Sequence, residues 1–256
     1  MPIKTVGKYP PLFCVHGEPL RFAMHMKADR PVYGLSYAYH VFRREEMPTT
    51  LDDYVDLYLD DLRSIQPKGP YYICGYSAGG LIAYAMAEKL LAAGEEIGDL
   101  MLVEPTFHFF GVNNTFGITK RILRTPISIK SFNHYLPLLP AYIWKKTKKN
   151  IQLALIKTYL WLNLRMPIPL RMNGFLLRLA PIMRQYVYPP MGISANLIYV
   201  NMDQEKLDRL QSHWSQLLDT PKILSIVGVR KHLDLMEEPA LSQTIALLDK
   251  SVQVQP

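Results

Sequence analysis

A serine flanked by glycines is the strongest candidate for chemistry in this sequence. Gly75–Gly79 reads GYSAG, which fits the pattern G-x-S-x-G, and Gly80 follows directly. The motif joins an apolar run typical of a strand to a run typical of a helix, the context in which this pattern presents a nucleophile. The glycines let strand and helix pack closely around a strained serine. We predict that Ser77 is a nucleophile; the alternative is an idle serine in a glycine-rich turn.

His232 is the candidate base that would take the proton from Ser77. Where a nucleophile occupies a strand-to-helix turn of this kind, the chain order is serine, acid, histidine. Of the seven histidines, only His213 and His232 follow the long basic segment in the middle of the chain. His213 falls within a predicted helix, whereas His232 follows a predicted strand after a short loop. The position therefore favours His232.

Two carboxylates compete for the role of the acid that orients the histidine. Glu104 ends the strand that follows the nucleophile helix, and Asp203 follows a later strand. A carboxylate at the end of a buried strand is poorly solvated and needs a partner such as an imidazole N–H. We therefore prefer Glu104 and keep Asp203 as the alternative acid. Asp234 lies too close to His232 along the chain to reach around its ring.

An oxyanion hole is expected from two backbone N–H groups. The first belongs to Ala78, next after the nucleophile. The second is expected in the loop His16-Gly17-Glu18-Pro19 after the first predicted strand. Proline has no N–H to donate, so Glu18 is the preferred second donor. We expect His16 to be a structural side chain under this loop rather than a catalyst.

Strands and helices alternate on both sides of the middle segment, which predicts a mostly parallel, doubly wound α/β sheet with helices on both faces. Short apolar runs bounded by turn residues mark the strands, and three- and four-residue spacings of apolar residues mark the helices. The predicted strands are Pro11–His16, Pro31–Ser36, Pro70–Tyr76, Asp99–Glu104, Ala195–Val200 and Lys222–Val227. The predicted helices are 51–65, 81–93, Glu205–Leu218 and Pro239–Asp249.

The positive charge of the chain is concentrated in its middle segment. The 256 residues carry 29 Lys or Arg and 22 Asp or Glu, a net charge of +7. Thirteen of the basic residues and none of the acidic ones lie between Pro105 and Met202, so the remainder carries −6. This proline-interrupted segment is predicted to be helical. We assign residues 1–105 and 191–256 to a catalytic core and 106–190 to a basic helical lid above the carboxyl ends of the strands.

The composition also excludes several classes of protein. Two cysteines, Cys14 and Cys74, cannot supply a disulfide framework, and reduced, buried thiols are expected. The first residues contain no apolar segment typical of a signal peptide, and the stretch Ile151–Leu164 is too short to span a bilayer. We expect a soluble cytoplasmic protein. The basic segment lacks any motif for binding nucleic acid.

The residues that form these motifs resemble the thioesterase domains of nonribosomal peptide and polyketide synthases. The likeness lies in PLFCVH at 11–16, DRPVYGL at 29–35, the stretch 49–90 that contains GPYYICGYSAGG, and HLDLMEEP at 232–239. The resemblance implies an α/β-hydrolase fold with a helical lid. It also implies an acid at position 104, where the family usually has aspartate and this chain has glutamate. The middle segment aligns with nothing in the family.

The resemblance implies a serine thioesterase that releases an acyl chain by hydrolysis or cyclisation through an acyl-serine intermediate. The chain, a polyketide, a peptide or a fatty acyl group, would arrive on the phosphopantetheine arm of an acyl or peptidyl carrier protein. No further cofactor and no metal are expected. The basic segment suits an anionic partner, either the carrier protein or an anionic membrane surface. Two alternatives are a lipid or ester hydrolase or acyltransferase at a membrane surface, and a non-catalytic acyl- or partner-binding module.

Overall fold

The structure is a computed structural model that describes residues 1–16, 19–36, 47–105, 139–200, 202–226, 235 and 237–252. The strands of these residues are β1 Pro2–Lys4, β2 Leu12–Val15, β3 Val32–Leu35, β4 Tyr71–Tyr76, β5 Ile97–Val103, β6 Met191–Val200 and β7 Leu218–Ile226. The helices are α1 Pro19–His25, α2 Leu51–Ile65, α3 Ala78–Ala92, α4 Leu139–Trp161, α5 Ile168–Gln185, α6 Gln204–Trp214 and α7 Ala240–Val252.

The seven strands form one sheet in the order β1-β3-β2-β4-β5-β6-β7. Every neighbouring pair is parallel except β1 and β3, which are antiparallel. The chain leaves β2 towards β3 and then crosses back over β2 to β4, which is the reversal of a doubly wound sheet. The predicted fold class is therefore confirmed for the described residues, and β4, which precedes the serine motif, lies at the centre of the sheet.

Helices cover both faces of the sheet. On one face, Phe22 of α1 and Leu241 of α7 share a buried cluster with Cys14, Cys74 and Met101 from the strands. On the other face lie α2, α3 and α6. A helix that covers a buried sheet needs an apolar stripe of its own. In α2 that stripe is Leu51, Tyr54, Val55, Tyr58, Leu59 and Leu62, all of them buried.

Some predicted bounds were wrong. The helix predicted over Glu205–Leu218 ends at Trp214, and Leu218 begins β7 instead. The short elements β1 and α1 were not predicted at all. The seven-residue α1 places Leu20 and Met24 in solvent and buries Phe22, so it shows little helical periodicity. The three residues of β1 are held by pairing with β3, which is a tertiary interaction.

The chain divides into two compact units. One comprises Met1–Ser36, Thr49–Phe107 and Tyr186–Pro256 and contains the whole sheet; the other comprises Tyr37–Pro48 and His108–Gln185. Within the second unit, α4 and α5 meet at Gly174, where a Cβ atom would lie 3.6 Å from Cγ2 of Ile156 in α4. The described helices of the middle segment agree with its predicted helical character. No helix of the described residues is both long and apolar enough to cross a membrane.

Candidate active site

Ser77 lies in a sharp turn between the central strand and the helix behind it. It follows β4 and precedes α3, with φ 55° and ψ −119°, a backbone conformation that non-glycine residues rarely adopt. Two backbone hydrogen bonds hold the turn: Ser77 N–H donates to the carbonyl of Val103 (2.9 Å), and Gly80 N–H donates to the carbonyl of Ser77 (3.0 Å). The side chain is half-buried and makes no capping hydrogen bond to α3.

Gly75 and Gly79 of the motif, and Gly80 directly after it, make this turn possible by bringing backbones into contact. A Cβ on Gly75 would lie 2.6 Å from the Cβ of Ala83 in α3, and one on Gly80 would lie 2.9 Å from the Cβ of Pro105. A Cβ on Gly79 would overlap the carbonyl oxygen of Val15 in β2. The predicted steric reason for the glycines is confirmed, and the contacts reach three neighbouring segments of the core.

Replacing Gly79 by alanine should therefore destabilise the protein by about 3 kcal/mol, because backbone atoms of β2 must move to accept the methyl group. Gly94 provides the matched control. It has φ +78°, and a Cβ there would meet nothing within 4 Å. Gly94→Ala should cost only about 1 kcal/mol, through backbone strain alone. Urea unfolding of both variants measures the difference, and equal losses would contradict the packing argument.

Glu104 lies immediately after β5, the strand next to β4, and its carboxylate is bound to the backbone of β6. It is 4% exposed and has φ 45°. Its N–H donates to the carbonyl of Ile198 (2.7 Å), and its Oε1 accepts from the N–H of Val200 (2.6 Å). Burial raises the pKa of the nearby Tyr199 hydroxyl, and the charge of Glu104 adds to this effect. The carboxylate thus occupies a fixed place at the carboxyl edge of the sheet.

Asp203 occupies a different kind of position. It is exposed, and its carboxylate caps α6 by accepting a hydrogen bond from the N–H of Lys206 (2.7 Å). N-caps of this kind are a common structural role for aspartate. Lys206 in turn donates from Nζ to the carbonyl of Val200 (2.7 Å), which ties the start of α6 to the end of β6. The sequence could not distinguish this cap from an acid, because both follow a strand.

The remaining predicted residues lie partly outside the described part of the chain. Ala78 is the first residue of α3, where helix N–H groups have no acceptor within the helix. His232 and Glu18 fall outside the described residues. Of their neighbours, β7 ends at Ile226, and β2 ends at Val15. The positions of the base and of the second oxyanion donor therefore remain predictions from residue order.

His16 is buried next to the end of β2 and contacts α2. Its Nε2 lies 2.9 Å from the hydroxyl oxygen of Tyr58, and the two rings meet edge to face. Burial lowers the pKa of His16 from 6.5 to about 4. A neutral, hydrogen-bonded and buried imidazole agrees with the structural role expected for it. Its partner Tyr58 belongs to the apolar stripe of α2, which the spacing of apolar residues in the sequence had already indicated.

The shift at His16 predicts a loss of stability in mild acid. The imidazole of His16 takes up a proton near pH 6.5 in the unfolded chain but only near pH 4 in the folded protein. The contribution of neutral His16 to the free energy of unfolding is therefore fully present above pH 6.5. It is lost as the pH falls from 6.5 to 4, and amounts to about 3 kcal/mol. Urea unfolding of the wild type and of His16→Gln across this range tests the effect, since other groups contribute equally to both. Parallel stability curves would contradict it.

The hydrogen bond from the N–H of Val200 to Glu104 could not be predicted from the sequence, because the donor is a backbone group that almost any residue would supply. Among the described residues, no group of three or more His, Cys, Asp or Glu could hold a metal ion. The described site therefore consists of a serine in a strained turn, the first N–H of a helix and a buried carboxylate on the adjacent strand.

Comparisons with known proteins agree with this description. The thioesterase domain family matches residues 18–113. The chain is 42% identical over 110 residues to a dimodular nonribosomal peptide synthase of Bacillus subtilis (strain 168), which covers 41% of the chain and 5% of that protein. It is 47% identical over 55 residues to a non-reducing polyketide synthase of Cercospora nicotianae, which covers 22% of the chain and 2% of that protein. The chain thus spans only a few per cent of the length of these curated relatives.

Two solved structures share the fold across almost the whole chain. One is the NocB thioesterase domain in covalent complex with a fluorophosphonate nocardicin G analog, with a TM-score of 0.62 and 20% identity over 95% of this chain and 94% of that chain. The other is the four-domain nonribosomal peptide synthetase AB3403 bound to AMP and glycine, with a TM-score of 0.66 and 17% identity over 100% of this chain and 20% of that chain.

The mostly parallel sheet with a serine in its strand-to-helix turn has the α/β-hydrolase fold. More particularly, residues 18–113 match the thioesterase domain family and the similar proteins are nonribosomal peptide and polyketide synthases, in agreement with the predicted resemblance. The comparisons lend no support to a lipid or ester hydrolase at a membrane surface or to a non-catalytic module.

Proposed function

We propose that this chain is a serine thioesterase that releases an acyl chain from the phosphopantetheine thioester of a carrier protein. The conformation of Ser77 carries the proposal. A strained residue persists only where the surrounding structure fixes it, and such residues cluster at active sites. Here three glycine contacts and two backbone hydrogen bonds hold the turn, while the serine hydroxyl makes no capping bond.

Glu104 is the proposed acid because of where its carboxylate lies. The strand β5 pairs in parallel with β4, so residues just beyond Val103 and Tyr76 lie at the same edge of the sheet. Glu104 is buried there and accepts a backbone hydrogen bond through Oε1. A buried carboxylate stabilises a neighbouring imidazolium strongly, since little water screens the charge. Asp203, in contrast, is exposed and caps a helix.

The proposed reaction has two halves. His232 takes the proton from Ser77 as Oγ attacks the thioester carbonyl carbon, and the N–H groups of Ala78 and Glu18 bind the resulting oxyanion. The carbon–sulfur bond then breaks, and His232 returns the proton to the phosphopantetheine thiol. Water, or a nucleophile within the acyl chain, next attacks the acyl-serine ester with His232 again as base. Hydrolysis releases an acid, and internal attack releases a ring.

The proposed partner is an acidic acyl or peptidyl carrier protein. The relative from Bacillus subtilis is a nonribosomal peptide synthase, and the chain has an excess of positive charge between Pro105 and Met202. In the described part of that segment, α4 exposes Lys148 and Lys157 and also the apolar side chains of Leu155 and Trp161. A helix that exposes both positive and apolar side chains suits a partner that presents both anionic groups and an apolar surface.

Acyl transfer to the protein tests the proposal directly. The chain is incubated with carrier proteins loaded with a fatty acyl, a polyketide or a peptidyl group, and the intact mass and the peptide that contains Ser77 are analysed. We expect a mass increase equal to the acyl group on Ser77, followed by release of free acid or ring. A fluorophosphonate should label the same residue; the NocB thioesterase domain forms a covalent complex with a fluorophosphonate nocardicin G analog. If neither reagent modifies the folded protein, the proposal is wrong.

A further inference from the structure

The two cysteines of the chain lie side by side in the core. Cys14 in β2 and Cys74 in β4 are direct partners in the parallel register of neighbouring strands. Both side chains point to the same face of the sheet, where they belong to one buried cluster, and each is 1% exposed. Sixty positions separate them along the sequence, so the sheet alone brings them together. The proposed thioesterase reaction uses neither thiol.

The spacing suits a covalent bond between them. Neighbouring strands lie about 4.8 Å apart, and the Cα atoms of disulfides lie about 4.4–6.8 Å apart. The register places the two side chains next to each other, and a hydrogen bond between them, which favours the protonated form of Cys74, is the largest of the effects that raise the pKa of Cys74. Burial acts in the same direction. Cys74 therefore holds its proton, and Cys14 is the sulfur expected to react first.

A buried cation lies on the same face of the sheet. The guanidinium carbon of Arg30 is 4.6 Å from the centre of the Tyr72 ring, and its Nε donates to the carbonyl of Pro10 (2.9 Å). Its Nη2 has no hydrogen-bond partner among the described atoms. Burial lowers the pKa of Arg30, and nearby groups act in the opposite direction, with Tyr72 and Asp99 ahead of Cys14 and Asp249. A buried positive charge on this face of the sheet favours attack by an anionic sulfur.

We propose that Cys14 and Cys74 are a modification site at which a small peroxide forms a reversible disulfide across the central strands. The Cys14 thiolate attacks one oxygen of hydrogen peroxide; the oxygen–oxygen bond breaks and hydroxide leaves, which becomes water on taking up the Cys14 proton. Cys74 sulfur then attacks the Cys14 sulfenic acid. The sulfur–oxygen bond breaks, and the oxygen leaves as water with the proton of Cys74. Two thiols are oxidised, and one peroxide is reduced to two waters.

The position of this bond connects it to the active-site edge of the sheet. Cys74 precedes Ser77 by three residues on β4, and Cys14 precedes His16 by two residues on β2. A covalent bond would hold β2 and β4 together directly below the serine turn. The proposal does not depend on thioesterase activity, because its readout is the covalent state of the two sulfurs.

The test is a thiol count by mass spectrometry on the full chain. The folded protein is treated with hydrogen peroxide, denatured without reductant, alkylated and digested. We expect the untreated protein to be alkylated at both cysteines and the treated protein at neither. A peptide pair joined through Cys14 and Cys74 should appear, and dithiothreitol should restore both thiols. Treated protein that still alkylates at both cysteines, that carries sulfinic acid without a cross-link, or that forms only intermolecular disulfides would overturn the proposal.

Two variants test the roles of the groups. With Cys74→Ala, the Cys14 sulfenic acid has no partner and should be trapped by dimedone, whereas Cys14→Ala should give little dimedone adduct at Cys74. Arg30→Met keeps a long buried side chain without its charge and should slow cross-linking by about five-fold or more. Trapping at Cys74 instead of Cys14, or an unchanged rate in the arginine variant, would contradict the proposed order of events. The cross-link in the wild-type protein can be measured even if a variant does not fold.

Discussion

Replacing Ser77 by alanine should abolish acyl loading and lower kcat by at least about ten-thousand-fold. Loss of the nucleophile removes the covalent route, and what remains in such enzymes comes from substrate binding and the oxyanion hole. Alanine can occupy the strained turn as well as serine does, since both carry a Cβ and the side chain makes no capping bond. The stability of the variant should therefore match the wild type.

The measurement is the mass of the protein after incubation with a loaded carrier, together with the rate of product release. Ser64→Ala is a matched control, because Ser64 is an exposed serine of α2 that donates to the carbonyl of Asp61 (2.7 Å). This control should load and release the acyl chain at the wild-type rate. If Ser77→Ala is folded and still becomes acylated, the nucleophile is a residue other than Ser77.

The second large effect is expected at Glu104. Glu104→Gln should lower kcat by about a thousand-fold or more, because an uncharged amide cannot stabilise the imidazolium of the base. Glutamine is the suitable replacement here. Its amide oxygen can still accept the hydrogen bond from the N–H of Val200, which alanine would leave unsatisfied in the core. The loss should appear in kcat with little change in urea stability.

Two further variants distinguish the acid from its competitor. Asp203→Ala should leave kcat within about two-fold and lower stability by about 1 kcal/mol, since the side chain caps α6. Glu104→Asp keeps the charge but withdraws the carboxylate by about 1.5 Å, one carbon–carbon bond, and should give an intermediate rate. A larger loss of kcat at Asp203 than at Glu104 would exchange the two roles.

The order of the strands and helices could largely be predicted from the sequence. Apolar runs bounded by turn residues correctly predicted the presence of β2 to β7, and the spacing of Tyr54 and Tyr58 predicted α2. The predicted starts of β6 and β7, Ala195 and Lys222, were wrong, because these strands begin at Met191 and Leu218. Local patterns suffice there because each element must bury one face or one stripe. The pattern failed where few residues are involved, as in β1, or where the boundary depends on pairing, as at Leu218, which extends β7 along β6.

Part of the candidate site could likewise be predicted from the sequence, and part could not. The turn at Ser77 was predictable from its neighbours, because it requires glycines at fixed positions. The sequence could not show which of Glu104 and Asp203 is buried, because both carboxylates follow a strand. In the structure, Glu104 is buried against β6 and accepts a backbone hydrogen bond from Val200, whereas Asp203 caps a helix.

The sequence by itself determined the strand-to-helix turn with Ser77 in it and the alternation of elements, since these depend on residues close together along the chain. Only the tertiary structure decided which groups from distant segments meet. Pairing of β2 with β4 places Cys14 beside Cys74, and pairing of β5 with β6 places Glu104 against Val200. Sheet register is a long-range property: it depends on how whole strands pack, and no local pattern specifies it.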